Sequence, residues 1–117
     1  MQYLLLIYDE EKKLDAMSPA EQEAFGGDYF AYTDSITKSG HFRAGEALQG
    51  IGTATTVRLR EGKTLTTDGP FAETREQLGG FYMVEAANLD EAISLAARIP
   101  SARTGSIEVR PIMVFEK

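Results

Sequence analysis

The sequence predicts an α+β fold, a ferredoxin-like antiparallel sheet with two helices on one face. Three observations point to it. The chain opens on a short apolar run bounded by acids, Gln2 to Tyr8 (QYLLLIY), which suits a central strand covered on both faces, or on one face with a partner on the other. Two later segments carry clear helix start signals and are each followed by a strand-like stretch. The resulting order is strand, helix, strand, hairpin, strand, helix, strand. Setting the hairpin aside leaves β-α-β-β-α-β.

Each element has its own warrant. Ser18 caps the first helix, Pro19 fits its first position and Glu21 completes a capping box. That helix is expected to run to about Ser39, with Gly40 as its stop. Phe25, Tyr29, Tyr32 and Ile36 form a stripe along it that faces the sheet. Gly26-Gly27 inside it predicts a turn that is bent, broken or closely approached. A strand follows over 41–48 (HFRAGEAL), then a hairpin of 54–60 (ATTVRLR) and 63–68 (KTLTTD) turned by Glu61-Gly62. Strand-like GGFYMVEA (79–86) leads to a second helix capped by Asn88, with Glu91 closing its box and Pro100 after its end. Leu89, Ala92, Ile93, Ala96 and Ile99 are its expected buried side, and 106–116 (SIEVRPIMVFE) the last strand.

At 117 residues the chain has room for one domain, 1–117. A hydrophobic share of 43% and a charged share of 26% are those of a globular protein. The net charge of −6, with no long basic cluster, argues against nucleic acid and anionic membranes as partners. Without cysteine there is no disulfide, thiolate nucleophile or Cys-ligated metal, and a single histidine precludes a two-histidine metal site within a subunit. No metal or cofactor is expected. The N-terminal apolar run is too short for a signal peptide or membrane span, so the expected location is the cytoplasm. An antiparallel sheet covered on one side by helices leaves an apolar face, which makes a homodimer the natural completion.

Several signatures fail. Gly62-Lys63-Thr64 lacks the earlier glycine of a phosphate loop, Gly50-x-Gly52 is no dinucleotide fingerprint, and no Gly-x-Ser-x-Gly elbow occurs. What remains is a set of polar residues with two readings each. His41 suits a helix end as well as a site. Tyr29 and Tyr32 are core aromatics or hydroxyls aimed into a helix–sheet cleft. Glu46 is a solvated charge or needs a cation, for which Arg110 in the last strand is a candidate, and Arg58 is placed to reach a pocket from the hairpin. Asp68, with Glu73 and Glu76, either builds a turn in which Gly69 supplies positive φ and Phe71 plugs the core, or points with Glu73 into a cleft as a general base or a cation site. Asp68 and Tyr29 are the catalytic candidates. Tyr29, Tyr32, Glu46, Arg58, Asp68, Glu73 and Arg110 are the ligand-binding ones.

The stretch DGPFAETREQLGGFY (68–82) closely resembles the signature of the DGPF-domain proteins, a branch of the YCII-related family. The likeness extends to YLLLIY, AGEALQ, ATTVRLREGK, LDEAISLAARIP and IEVRPIM. It implies a dimeric α+β barrel in which two ferredoxin-like subunits face each other sheet to sheet. It implies less about activity. Most DGPF-domain proteins have none established, and some are encoded beside or fused to extracytoplasmic-function sigma factors, which implies a regulatory partner. In the YCII branch a histidine on the first helix and a nearby aspartate are proposed as a catalytic pair, and one relative removes chloride from a hydroxylated aromatic. Here Tyr29 stands where the histidine would be and Lys38 near the aspartate, so that chemistry does not carry over.

Two functions follow from the sequence. One is a small-molecule-binding dimer with its pocket between the first helix and the sheet, using tyrosine and carboxylate for proton transfer of the isomerase or lyase kind. The other is a non-catalytic regulatory or interaction module acting with a sigma factor. The sequence leaves catalysis itself open.

Overall fold

Strand β1 (Gln2–Asp9) is paired on both sides, and its burial alternates strictly: Tyr3, Leu5, Ile7 and Asp9 are buried, and the residues between them are not. The computed structural model describes residues 1–116. After β1 come α1 (Glu11–Asp15), α2 (Pro19–Lys38), β2 (Phe42–Ala47), β3 (Thr55–Arg60), β4 (Lys63–Asp68), β5 (Gln77–Glu85), α3 (Leu89–Ala97) and β6 (Ser106–Pro111). The main sheet has the order β2-β5-β1-β6, with every neighbouring pair antiparallel. This is the ferredoxin-like arrangement, with α2 and α3 on one face. Among the described residues no helix is long and apolar enough to cross a membrane.

Strand periodicity separates the two faces of the sheet. Tyr3, Leu5 and Ile7 join Tyr82 and Val84 of β5, Tyr32 and Ile36 of α2, and Ala92, Leu95, Ala96 and Ile99 of α3 in one core. Ile107 and Val109 of β6 pack against it. The other face is fixed by the register: Leu4 opposite Met83 and Arg110, Leu6 opposite Phe81 and Glu108, and Glu46 opposite Phe81. Among the described residues no element covers that second face.

The helix signals act as the sequence implies. Ser18 Oγ accepts from the Glu21 amide at 3.1 Å while the Glu21 carboxylate accepts from the Ser18 amide at 3.0 Å. Gly40, at φ 83°, ends the helix in the conformation that glycine adopts most readily. Gly26 and Gly27 neither break α2 nor admit a close neighbour: the helix is continuous and a Cβ at either would touch nothing. Asn88 caps α3, but Glu91 accepts from the Ala87 amide, one residue before the cap.

One short helix was not expected, and three expectations need correction. The helix α1 has no capping residue to announce it; it is one turn, held where Gln77 Oε1 accepts the Glu11 amide at 2.9 Å. On α3 the buried face holds Leu95, while Leu89 and Ile93 are half exposed, because the helix is rolled to lay Ala92, Leu95, Ala96 and Ile99 on the sheet. The last strand ends at Pro111, not at residue 116, because β1 offers no partner beyond Gln2, whose carbonyl takes the Ile112 amide at 2.9 Å. Phe71 does not plug the core; it is 79% exposed.

β3 and β4 form a separate two-stranded arm, paired Thr55–Asp68 through Arg60–Lys63. Gly69, at φ 100°, supplies the positive φ expected of the turn that leaves it. Between the arm and the sheet, β5 carries an extra residue: Ile7 pairs with Gly80 and Tyr8 with Leu78, leaving Gly79 as a bulge.

Urea denaturation checks this account of where stability resides. Leu5→Ala, at a fully buried position in the central strand, is expected to cost about 2–5 kcal/mol. Ser18→Ala, which removes only a cap, is expected to cost about 1 kcal/mol.

Candidate functional site

The alternation that sends Leu5 and Ile7 into the core carries on to Asp9, so β1 ends by placing a carboxylate on the helix side of the sheet. Asp9 is only 6% exposed. Thr104 Oγ1 donates to its Oδ1 at 2.7 Å, and Gly105 has no side chain where one would collide with the Tyr8 carbonyl and Asp9. Among the described residues no lysine, arginine or histidine pairs with it. A buried carboxylate without a cation is costly unless hydrogen-bond donors complete it.

Asp9 lies in the wall of a cavity of about 330 Å³ between α2 and the sheet, on the β2–β5 side. Leu14, Phe25, Phe42 and Ile7 supply apolar walls. The polar groups come as hydroxyls. Tyr29 donates to Ser101 Oγ at 2.5 Å. Thr33 Oγ1 gives its proton to the Tyr29 carbonyl at 3.0 Å, so the 2.6 Å contact between Thr33 and Tyr82 is donated by the Tyr82 hydroxyl. The edges of Phe25 and Tyr29 meet at 5.3 Å between centroids, and those of Phe42 and Tyr82 at 6.3 Å. Gly45 makes room for this arrangement, because a Cβ there would stand 2.8 Å from the Tyr82 ring.

Burial holds the phenols in their neutral form. It pushes the Tyr29 hydroxyl above the ordinary tyrosine range, partly offset by its bond to Ser101, and the charge of Asp9 adds to the rise. Tyr82 is raised by burial as well, against a lowering from Thr33. The cavity therefore presents the Asp9 carboxyl group beside neutral hydroxyls. Such a set can accept a proton at Asp9 and hold a ligand oxygen by hydrogen bonds from a phenol.

Of the residues singled out in the sequence, Tyr29 points into the cavity; Glu46 borders it, but its place opposite Phe81 turns its exposed side chain to the other face of the sheet. Tyr32 is buried behind the cavity, its hydroxyl donating to the Leu95 carbonyl at 2.8 Å. Arg110 stands on the other face of the sheet and bonds Glu108, not Glu46, which lies at the opposite edge. Arg58 and Asp68 are exposed on the arm, and Glu73 is exposed on the segment leaving it. The later part of that motif is a brace: Arg75 donates to Glu10 at 2.9 Å, and Gln77 donates to the Thr74 carbonyl at 2.6 Å. His41 joins helix ends, with Ser39 at 2.7 Å on Nδ1 and Glu91 at 3.3 Å from Nε2.

Asp9, Thr33, Tyr82 and Ser101 are missing from the sequence-derived set. For Asp9 a signal exists: period two from Tyr3, Leu5 and Ile7 puts an acid on the core face. Ser101 and Thr33 carry no such pattern, since their partners lie 72 and 49 residues away.

The YCII-related domain family matches residues 1–116 of this chain, and the chain belongs to that family. It is 38% identical to the uncharacterized protein R00369 of Rhizobium meliloti (strain 1021), over 99% of this chain and 95% of that protein. Its fold is similar to that of TftG, the 5-chloro-2-hydroxyhydroquinone dehydrochlorinase of Burkholderia phenoliruptrix AC1100, solved with 2,5-dihydroxybenzoquinone. The TM-score is 0.59 at 16% identity, covering 97% of this chain and 94% of that one. At that identity the likeness is one of fold.

The raised phenols set an alkaline limit to stability. Burial penalises the phenolate of Tyr29, Tyr32 and Tyr82 in the folded state only, so the folded protein keeps protons that the unfolded chain loses. Unfolding free energy is expected to show no loss from these groups below about pH 10 and to fall above it. Urea titrations across that range, read together with phenolate absorbance, check the sign.

Proposed function

We propose that this YCII-related protein is a cytoplasmic homodimer that binds a small, uncharged, hydroxyl-bearing ring compound in the cavity beside Asp9, and that Asp9 and Tyr29 move or hold its protons. The observation that carries this reading is the buried, cation-free Asp9 carboxylate in an aromatic-walled cavity. A carboxylate so placed repels anionic ligands and selects hydrogen-bond donors. The aromatic walls suit a planar ring, and a volume of about 330 Å³ is at the small end of ligand pockets. Asp9 takes a proton from a ligand hydroxyl or an acidified C–H, while a neutral tyrosine hydroxyl holds an oxygen of the same ligand. That is chemistry of the isomerase or lyase kind. The dihydroxybenzoquinone bound by TftG is a hydroxyl-bearing ring of this size.

The homodimer rests on area. The chain exposes 8339 Å², whereas a compact monomer of its mass exposes about 6,300 Å². An excess of about 2,000 Å² per chain is what an obligate dimer covers. The uncovered sheet face, with Leu4, Leu6, Phe81 and Met83 at its centre, is the natural contact. Partnership with a sigma factor is the second reading, and it draws on the exposed Val57, Leu59 and Leu65 of the arm.

Calorimetric titration with neutral benzenediols, hydroxyquinones and their carboxylated analogues tests the binding. The neutral diols are expected to bind, and Asp9→Asn, which keeps an oxygen for Thr104, to weaken them at least about tenfold, or roughly 1.4 kcal/mol. Tyr29→Phe is expected to lose affinity and to abolish any turnover. Preference for the carboxylated analogues, or unchanged affinity in Asp9→Asn, would sink the reading.

A further inference from the structure

Two segments of this chain are ready for strand pairing and have no partner among the described residues. The first is the β3–β4 arm. Its strands pair with each other alone, standing apart from the main sheet. Val57 is 62% exposed, Leu59 65% and Leu65 49%, on both sides of the ribbon. A lone two-stranded hairpin is marginal in water, and a third strand or a packed face is needed to stabilise it. The second is the tail after β6. Met113, Val114 and Phe115 are 72%, 85% and 78% exposed. They have strand-forming side chains, yet the ladder stops at Pro111 because β1 begins at Gln2.

The two cannot easily meet within one chain. β2 leaves the sheet where Ala47 pairs with Gly80, and β5 enters it where Gln77 pairs with Asp9, so the arm is rooted at the Asp9 end of β1 on the β2 side. The tail leaves at the Gln2 end, on the β6 side. These are diagonally opposite corners of the sheet. When two such sheets face each other about a two-fold axis along the other diagonal, each corner falls over its counterpart, and the arm of one copy comes over the tail of the next.

We propose that residues 112–116 of one protomer add as a third strand to the β3–β4 arm of its partner, reciprocally, so that the dimer is tied by two exchanged strand additions beyond its sheet-to-sheet contact. The inference rests on the homodimer reading above. Strand addition supplies backbone partners to an open edge, and Met113, Val114 and Phe115 cover apolar side chains of the arm that nothing in their own chain covers. Glu116 then approaches the basic tip formed by Arg58, Arg60 and Lys63.

The chain contains no cysteine, so introduced thiols report alone. A Val114→Cys variant is mixed with variants carrying cysteine at Val57, Leu59 or Leu65, and mildly oxidised. A disulfide-linked dimer of the two different variants is expected for at least one arm position. Hydrogen exchange of 55–68 in the unmodified chain is expected to be at least about tenfold slower than in a chain ended after Pro111. Light scattering separates the ways of failing. A monomer in solution overturns both this inference and the homodimer. A dimer with no cross-link, and arm exchange unchanged by the truncation, leaves the homodimer standing and overturns the exchange. So does a dimer whose arm exchanges freely in the full-length chain, which points to a different protein as the arm's partner.

Discussion

Everything in this molecule depends on the twofold alternation of β1. A strand paired on both sides has no freedom to slip, because a shift of one residue would turn Leu5 and Ile7 outward and Leu4 and Leu6 inward. One face of the strand then nucleates the helix-covered core. Its last residue on that face delivers a carboxylate to the cavity. The opposite face displays the apolar surface on which the proposed dimer rests. Core, candidate site and proposed contact face are thus consequences of one register.

The site joins groups whose costs offset each other. A carboxylate without a cation and two phenols lie among apolar walls, where each would be unfavourable without hydrogen bonds. Thr104 answers Asp9, Ser101 answers Tyr29 and Thr33 answers Tyr82. All three partners are hydroxyls, which can rotate and exchange partners without moving a charge. A ligand bringing hydroxyls of its own enters a network already written in that chemistry. Gly45 sets its shape from the far wall by leaving room for the Tyr82 ring against β2.

Much of the fold was legible because its signals are local. The capping box at Ser18, the Gly40 stop, the Asn88 cap and the hairpin turn each depend on a few neighbouring residues. Errors arose where tertiary contact decides. The roll of α3, which buries Leu95 instead of Ile93, depends on the sheet beneath it. The one-turn α1 exists because Gln77 holds it. The site was less legible than the fold for the same reason: Tyr29 was accessible through its helical stripe, but its partners come from distant segments. Acids crowded in sequence, Asp68, Glu73 and Glu76, drew more attention than Asp9, whose importance comes from the face it occupies. A carboxylate gains meaning from burial, and burial is not local.

The glycine pair before Phe81 has a role beyond turning the chain. Gly79 is the unpaired residue in β5, and it inverts the strand's phase. Upstream of it, Gln77 comes opposite Asp9 and can hold α1, while Leu78 is sent to the other face with Tyr8. Gly79 is therefore a surplus residue that the strand sets aside. Were it paired in a regular ladder, Gly79 would stand opposite Tyr8 and Leu78 opposite Asp9, with Leu78 toward the helices and Gln77 away from Glu11. Were it absent, Leu78 would still meet Tyr8 and Gln77 would still meet Asp9, in a strand without a bulge. Loss of this one residue is accordingly the change of length that the segment between the arm and the sheet is built to survive.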